Sequence, residues 1–249
     1  MTDALPIQSA KSRLLITLVV DTSQSMAQNG AIDQLNTALR NWRGELLRDA
    51  YLHTVGEIAL ISFGKDHVVA LDPAGRRPGH MAEPFVPVRD FDPPRLTAAG
   101  VTPMVEAIQY ALEVTGVRKE HLMADGIPMA NRPLVYLVTD GVPTDSRGHR
   151  SDRWRDVAPL LRQQEQGNHL LFFAIGVPGS DEEVLRGLAP KSYYQLDRMD
   201  FAQVMRLVSA SLNSMKGVSR QQSPDAVYAD AHEQIDRTER LLQWLNDRA

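Results

Sequence analysis

From Leu14 to Val20 the chain is apolar except for Thr17, and the run stops at a carboxylate: Leu14-Leu15-Ile16-Thr17-Leu18-Val19-Val20-Asp21-Thr22-Ser23-Gln24-Ser25-Met26. A nearly unbroken apolar run of this length reads as a strand buried on both faces, which calls for a sheet covered by helices on each side. It is too short to span a bilayer. Beyond it, Asp21, Ser23 and Ser25 present side-chain oxygens at alternate positions. Such a set at the carboxyl end of a buried strand suits a hard divalent cation, which prefers oxygen ligands. The same residues also suit a polar turn in which Ser23 or Ser25 caps the next helix. Taken alone, the motif does not separate the two readings.

Two later stretches bear on the choice. Thr102-Pro103 opens a helical pattern, and Leu134-Val135-Tyr136-Leu137-Val138-Thr139-Asp140-Gly141 is a second buried strand ending in Asp. Together, Asp21-x-Ser23-x-Ser25, Thr102 and Asp140-Gly141 resemble the metal-ion-dependent adhesion site of von Willebrand factor A domains. The resemblance runs from about Leu14 to Leu212. It implies that Asp21, Ser23, Ser25, Thr102 and Asp140 hold Mg²⁺ directly or through waters, with Mn²⁺ and Ca²⁺ as alternatives. It implies further that a protein partner's Asp or Glu completes the coordination, so that the site confers affinity and the protein is not an enzyme. One departure stands out: the family usually has Gly before the threonine, and here Val101 fills that place, with Gly100 one residue earlier. Asp145, after Gly141-Val142-Pro143-Thr144, reads either as an outer support of the ligands or as an ordinary turn residue.

Within that superfamily, Val19 to Met26, the Thr102-Pro103 helix start and Leu137 to Asp145 look most like the small bacterial proteins of the TerY type. Those are linked with tellurite resistance and stress, and relatives occur beside protein phosphatases and kinases. The narrower resemblance implies a cytoplasmic scaffold that presents its metal site to such a partner.

Composition is that of a globular chain and fits an intracellular setting. The 249 residues are 43% hydrophobic with a net charge of −4, enough apolar material for a large core and no sign of a general polyanion binder. Aromatics are 6% and alternate with no basic run, which argues against nucleic-acid binding. With no cysteine the chain has neither disulfides nor thiolate metal sites, as fits a reducing cytoplasm. Residues 1–13 read as a tail without a secretion signal, and no run is long enough for a membrane anchor.

The remaining pattern alternates strand and helix. Ile32, Leu35, Leu39, Trp42 and Leu46 lie on one face of a helix expected over Ala31 to Ala50. Glu57 to Phe63 and His67 to Leu71 flank a Gly-containing turn and predict a hairpin whose second strand is an antiparallel edge. Pro73 to Gly100 is rich in Pro and Gly and predicts a long surface excursion, with an extended piece around Phe85 to Val88. Pro103 at the favoured first helical position makes Thr102 an N-cap as well as a proposed ligand. A loop is expected over Arg118 to Arg132. Helices starting near Trp154, Asp181 and Phe201 and strands over Leu170 to Val177 and Ser192 to Leu196 complete a Rossmann-like, doubly wound α/β domain over 14–215. In such sheets ligands bind beyond the carboxyl ends of the strands, where Asp21 and Asp140 sit.

A polar linker follows over 216–225, and then an amphipathic helix over 226–249 with Val227, Ala231, Ile235, Thr238, Leu241, Leu242 and Leu245 on one face. It either packs back on the domain or binds a partner. The enzyme alternative, a Mg²⁺-dependent phosphotransferase of the haloacid-dehalogenase pattern, needs a second Asp two residues after Asp21, where Ser23 stands. No phosphate-binding Gly-rich loop, Gly-x-Ser-x-Gly elbow or His-Glu-x-x-His occurs. A third alternative keeps the fold but assigns function to the surface or the last helix.

Overall fold

The computed structural model describes residues 12–64, 67–74, 84–196, 200–215 and 222–246. Its frame is a sheet built from β1 (Leu14–Asp21), β2 (Gly56–Gly64), β3 (His67–Leu71), β4 (Phe85–Pro87), β5 (Leu134–Thr139), β6 (Leu171–Gly176) and β7 (Tyr193–Gln195). The order is β3-β2-β1-β5-β6-β7, with β4 also pairing β2. The β2–β1–β5–β6–β7 pairs are all parallel. β3 and β4 share the outer edge of β2 and are both antiparallel to it, β3 along Leu60–Gly64 and β4 along Glu57–Ala59. The expected hairpin and extended piece are therefore both present.

β1 is buried along its whole length, as its composition requires. Leu14, Ile16, Leu18 and Val20 point into one apolar layer, and Leu15 and Val19 into the other. The first layer is closed by α1 (Ala31–Arg48), α2 (Ala50–Val55), α6 (Phe201–Ser214) and α7 (Pro224–Asn246), the second by α3 (Met104–Ala124), α4 (Trp154–Gln166) and α5 (Glu182–Leu188). Each such fully buried aliphatic contributes on the order of 1.5–3 kcal/mol. Trp42 anchors the first layer, edge-on to Phe91 at 5.9 Å and donating its indole N–H to Ser209 Oγ at 2.9 Å.

Three elements differ from the sequence reading. The helix expected over 31–50 stops at Arg48, because Asp49 turns extended and its Oδ1 accepts the Tyr51 and Leu52 N–H groups at 3.1 Å. That cap starts α2 as a separate helix. The loop expected from Arg118 is helical to Ala124, since nothing in Arg118-Lys119-Glu120-His121-Leu122-Met123 breaks a helix. Two contacts also hold it: Leu122 is buried, and Arg118 pairs with the buried Glu57 at 2.8 Å. The helix ends where Gly126 takes φ +70°.

The third difference concerns the linker. Residues 216–221 lie outside the described residues, as do residues 1–11 of the expected tail, Lys65-Asp66 of the hairpin turn and residues 75–83 of the excursion. Pro224 and Asp225, read as linker, already belong to α7. The first half of α7 packs on the domain: Val227, Tyr228, Ala231 and Ile235 are buried in the α1/α6 layer. The side chains of Thr238, Leu241, Leu242 and Leu245, assigned to the same apolar face, lie outside the description. Tyr228 meets Phe173 edge-on at 5.3 Å, its hydroxyl donates to Glu165, and it accepts the Phe172 N–H at 3.1 Å. Lys191 reaches Asp225 at 2.5 Å. Tyr228→Phe keeps the ring and deletes this polar tie, so urea denaturation is expected to show a loss of about 1–2 kcal/mol. An unchanged midpoint would mean that ring packing alone docks α7.

Candidate metal centre

β1 and β5 are neighbours, paired from Ile16–Leu134 to Val20–Val138, so their carboxyl ends bring Asp21 and Asp140 to one crevice. The two carboxylates are joined through hydroxyls. Ser25 Oγ donates to Asp140 Oδ1 at 2.8 Å, and Ser23 Oγ lies 3.0 Å from Ser25 Oγ. Asp21 Oδ1 accepts the Ser23 N–H at 2.8 Å. Neither serine acts as a helix cap: Ser23 precedes the short 3₁₀ segment Gln24–Gly30 without a side-chain cap bond. The capping role is thereby absent, while the Ser23 N–H bond to Asp21 Oδ1 does form a polar turn at the strand end.

Thr102 arrives from the far end of the long excursion. The helix that follows begins at Met104, one residue later than the sequence suggested, and the Thr102 hydroxyl makes no cap bond. Its backbone is held instead. The Thr102 carbonyl accepts from Met104 N at 2.7 Å and Thr144 N at 2.9 Å, while its N–H donates to Thr144 Oγ1 at 2.8 Å. The position is shown by Gly141: a Cβ there would lie 3.3 Å from Thr102 Oγ1 and 3.2 Å from Asp21 Oδ2. The hydroxyl and the carboxylate therefore converge on one point, and a side chain at 141 would press on both.

The excursion itself is fastened to α1. Asn36, 4% exposed, donates to the Leu96 carbonyl at 2.9 Å and accepts the Leu96 N–H at 2.7 Å. Ala99 N reaches Thr22 O at 2.9 Å, and Gln24 N reaches Gly100 O at 3.0 Å. Asn36→Ala leaves the buried Leu96 amide and carbonyl unmatched, at an expected cost of about 1–3 kcal/mol by chemical denaturation. Because the same strap carries Thr102, metal affinity should fall as well. A stability loss with unchanged affinity would show that Thr102 is held without the clamp.

Two further residues complete the centre, and the ligand motif did not point to either. Thr139 Oγ1 donates to Asp21 Oδ2 at 2.5 Å and accepts the Gly141 N–H at 3.0 Å, locking both strand ends together. The only signal in the sequence is a hydroxyl residue immediately before Asp140. Gly179, at φ +109°, brings the loop after β6 against the Asp140 backbone; a Cβ there would lie 2.5 Å from the Asp140 carbonyl oxygen. Asp145, by contrast, is a turn residue: its Oδ1 accepts the N–H groups of Arg147 at 2.8 Å and His149 at 2.9 Å.

The electrostatics are those of an anionic hole. Burial pushes the Asp21 carboxyl up to about 7, despite the opposing hydrogen bonds from Ser23 and Thr139, and the nearby Asp140 adds to the rise. Burial raises Asp140 too, against the Ser25 hydrogen bond. Among the described residues neither carboxylate has a Lys, Arg or His partner. No cluster of three or more His, Cys, Asp and Glu occurs among them either. The donor set is two carboxylates and three hydroxyls, all oxygen, whose uncompensated charge matches one hard divalent cation.

No family model matches the chain, and no curated protein matches it. Solved structures do. The vWF domain of the type V pilus tip protein Mfa5 from Porphyromonas gingivalis aligns with a TM-score of 0.54 at 11% identity, over 86% of this chain and 99% of that one. The pilus adhesin SpaC from Lactobacillus rhamnosus GG gives 0.53 at 16% identity, over 83% of this chain and 31% of its own. Proximal thread matrix protein 1 from the mussel byssus gives 0.51 at 18% identity, over 80% and 46%. The chain thus spans less than half the length of the last two. Among the described residues no helix is long and apolar enough to cross a membrane. At these identities the likeness speaks for the fold, and with the sheet order above it gives this chain the fold of von Willebrand factor A domains.

Proposed function

We propose that the domain is a metal-dependent protein-binding module, in which Asp21, Ser23, Ser25, Thr102 and Asp140 hold Mg²⁺ and a partner's Asp or Glu side chain completes the site. The observation that carries this is the pair of buried carboxylates with hydroxyl and amide partners and, among the described residues, no cationic one. When bound, the cation supplies the Lewis acidity that attracts the partner's carboxylate. The protein's own residues do the rest. Thr139 and the Ser23 amide fix the Asp21 oxygens, Ser25 fixes Asp140, and the Thr144 bonds hold Thr102 in place. The two carboxylates balance the ion's charge and the three hydroxyls are neutral, weakly donating ligands, so the ion stays electrophilic toward a partner's carboxylate oxygen.

The site is one of affinity, with no catalytic residue assigned. Ser23, where a phosphotransferase would place its acid, is engaged with Ser25. The TerY-type resemblance supports a narrower reading: a bacterial cytoplasmic scaffold in a stress or tellurite-resistance system, with a phosphatase or kinase as partner. It rests on the stretches Val19 to Met26, Thr102-Pro103 and Leu137 to Asp145. The test is a displayed peptide library panned on the immobilised protein in Mg²⁺. Peptides released by EDTA should share an Asp or Glu whose replacement by Asn or Gln abolishes retention. Retention indifferent to EDTA and to Asp21→Asn would overturn the proposal.

A further inference from the structure

Beside the centre, the chain after Asp140 folds into a tight loop with Arg147 exposed at its tip. Thr144 and Arg150 pair across its base, and Ser151 N closes on Pro143 O at 2.9 Å. The Asp145 carboxylate gathers the amides of Arg147 and His149 at the tip. The loop is joined to the metal strap twice through Thr144 and Thr102. It also lies against the preceding residue, since a Cβ at Gly148 would lie 3.4 Å from Val101 Cγ1. The tip therefore stands at the rim of the centre.

The basic side chains of this segment divide sharply. Arg150 pairs with Asp181 at 2.7 Å, Arg153 with Glu106, Arg155 with Glu183 at 3.2 Å, and His149 faces Asp145 at 3.5 Å. Arg147 is exposed, and its guanidinium has no hydrogen-bond or ion-pair partner among the described residues. Its backbone is fixed by the Asp145 turn, so the side chain is displayed from a rigid base. A guanidinium offers a planar fork matched to a carboxylate.

We infer that Arg147 is a second recognition point, and that the partner segment is doubly acidic, one carboxylate completing the metal site and another meeting Arg147. This rests on the metal-dependent reading above and adds the class of partner sequence. An exposed pair of this kind contributes modestly, about three- to fivefold in affinity, and weakens as salt screens it. It selects acidic clusters over isolated acidic residues.

The test uses labelled peptides of Gly and Ser bearing one Glu, or two Glu at several spacings, titrated by fluorescence anisotropy against the Mg²⁺-loaded full chain. At least one two-Glu peptide should bind the wild type about three- to fivefold tighter than the one-Glu peptide. Arg147→Ala should erase that advantage and Arg147→Glu reverse it, with Mg²⁺ affinity and one-Glu binding unchanged. An advantage that survives Arg147→Ala, or none at any spacing, overturns the inference while leaving the metal reading intact. Failure of every peptide to bind in an EDTA-sensitive way overturns both.

Discussion

Asp21→Asn is expected to abolish Mg²⁺ binding, by about 100-fold or more, while leaving the metal-free protein at least as stable as the wild type. The two halves have one cause. Asp21 is 1% exposed, its oxygens have only hydroxyl and amide partners, and burial lifts its carboxyl to about 7. An unfolded Asp titrates near 3.9, at roughly the model-peptide value. The folded state therefore keeps a proton that the unfolded state has lost, and the stability of the metal-free protein declines as pH rises from about 4 to about 7. Above that range the buried charge costs its full amount unless a cation is present. Asn can still accept the Ser23 amide and carries no charge to desolvate. Metal affinity should accordingly rise about tenfold between pH 6 and pH 8 in the wild type, as the carboxyl near 7 ionises. Thermal melts with and without Mg²⁺ at both pH values check the whole set. A metal-free Asp21→Asn protein much less stable than wild type at pH 8 would mean that the carboxylate is structural.

Gly179→Ala should be the most damaging small substitution, with a loss of about 2–5 kcal/mol and a sharp fall in metal affinity. Two penalties coincide there. The backbone at φ +109° is one that side chains other than glycine rarely adopt, and the added methyl would sit 2.5 Å from the Asp140 carbonyl oxygen. A carbonyl in a sheet connection cannot swing aside like a side-chain tip, so Asp140 itself must shift. Gly126→Ala is the control: φ is +70° and nothing lies within 4 Å of the added carbon. It should cost about 1 kcal/mol and leave metal affinity alone. Equal effects of the two changes on metal binding would contradict the bracing role of the loop after β6.

The meeting of Asp21 and Asp140 was legible in the sequence because both stand at chemical discontinuities. Asp21 and Asp140 each end an apolar run, and strand ends are where an α/β sheet exposes its ligand crevice. What the sequence hid was held by contacts distant in the chain. Thr139 looks like one more strand residue until β1 lies beside it. Gly179 is one glycine of a common turn until its closeness to Asp140 is seen. The Thr102 hydroxyl suited a cap by local rule, yet the helix starts later and the backbone is taken by Thr144, a partner 42 residues away.

The element boundaries tell the same story at lower stakes. α3 outruns its expected end because Arg118 finds Glu57, 61 residues away. α1 stops short because Asp49 prefers to cap the next turn. The docking of α7 turns on Tyr228, adjacent to the apolar face read from spacing, whose hydroxyl reaches Glu165 and Phe172.

Direct metal titration tests the central claim without needing a partner. Mn²⁺ added to the wild-type protein at pH 8 and followed by the electron paramagnetic resonance of the free ion should show one bound equivalent, displaced by Mg²⁺ and absent in Asp21→Asn and Asp140→Asn. Wild-type protein that binds no Mn²⁺ at millimolar concentration, or binds it equally with both aspartates replaced, would contradict the assignment of a metal site at the ends of β1 and β5.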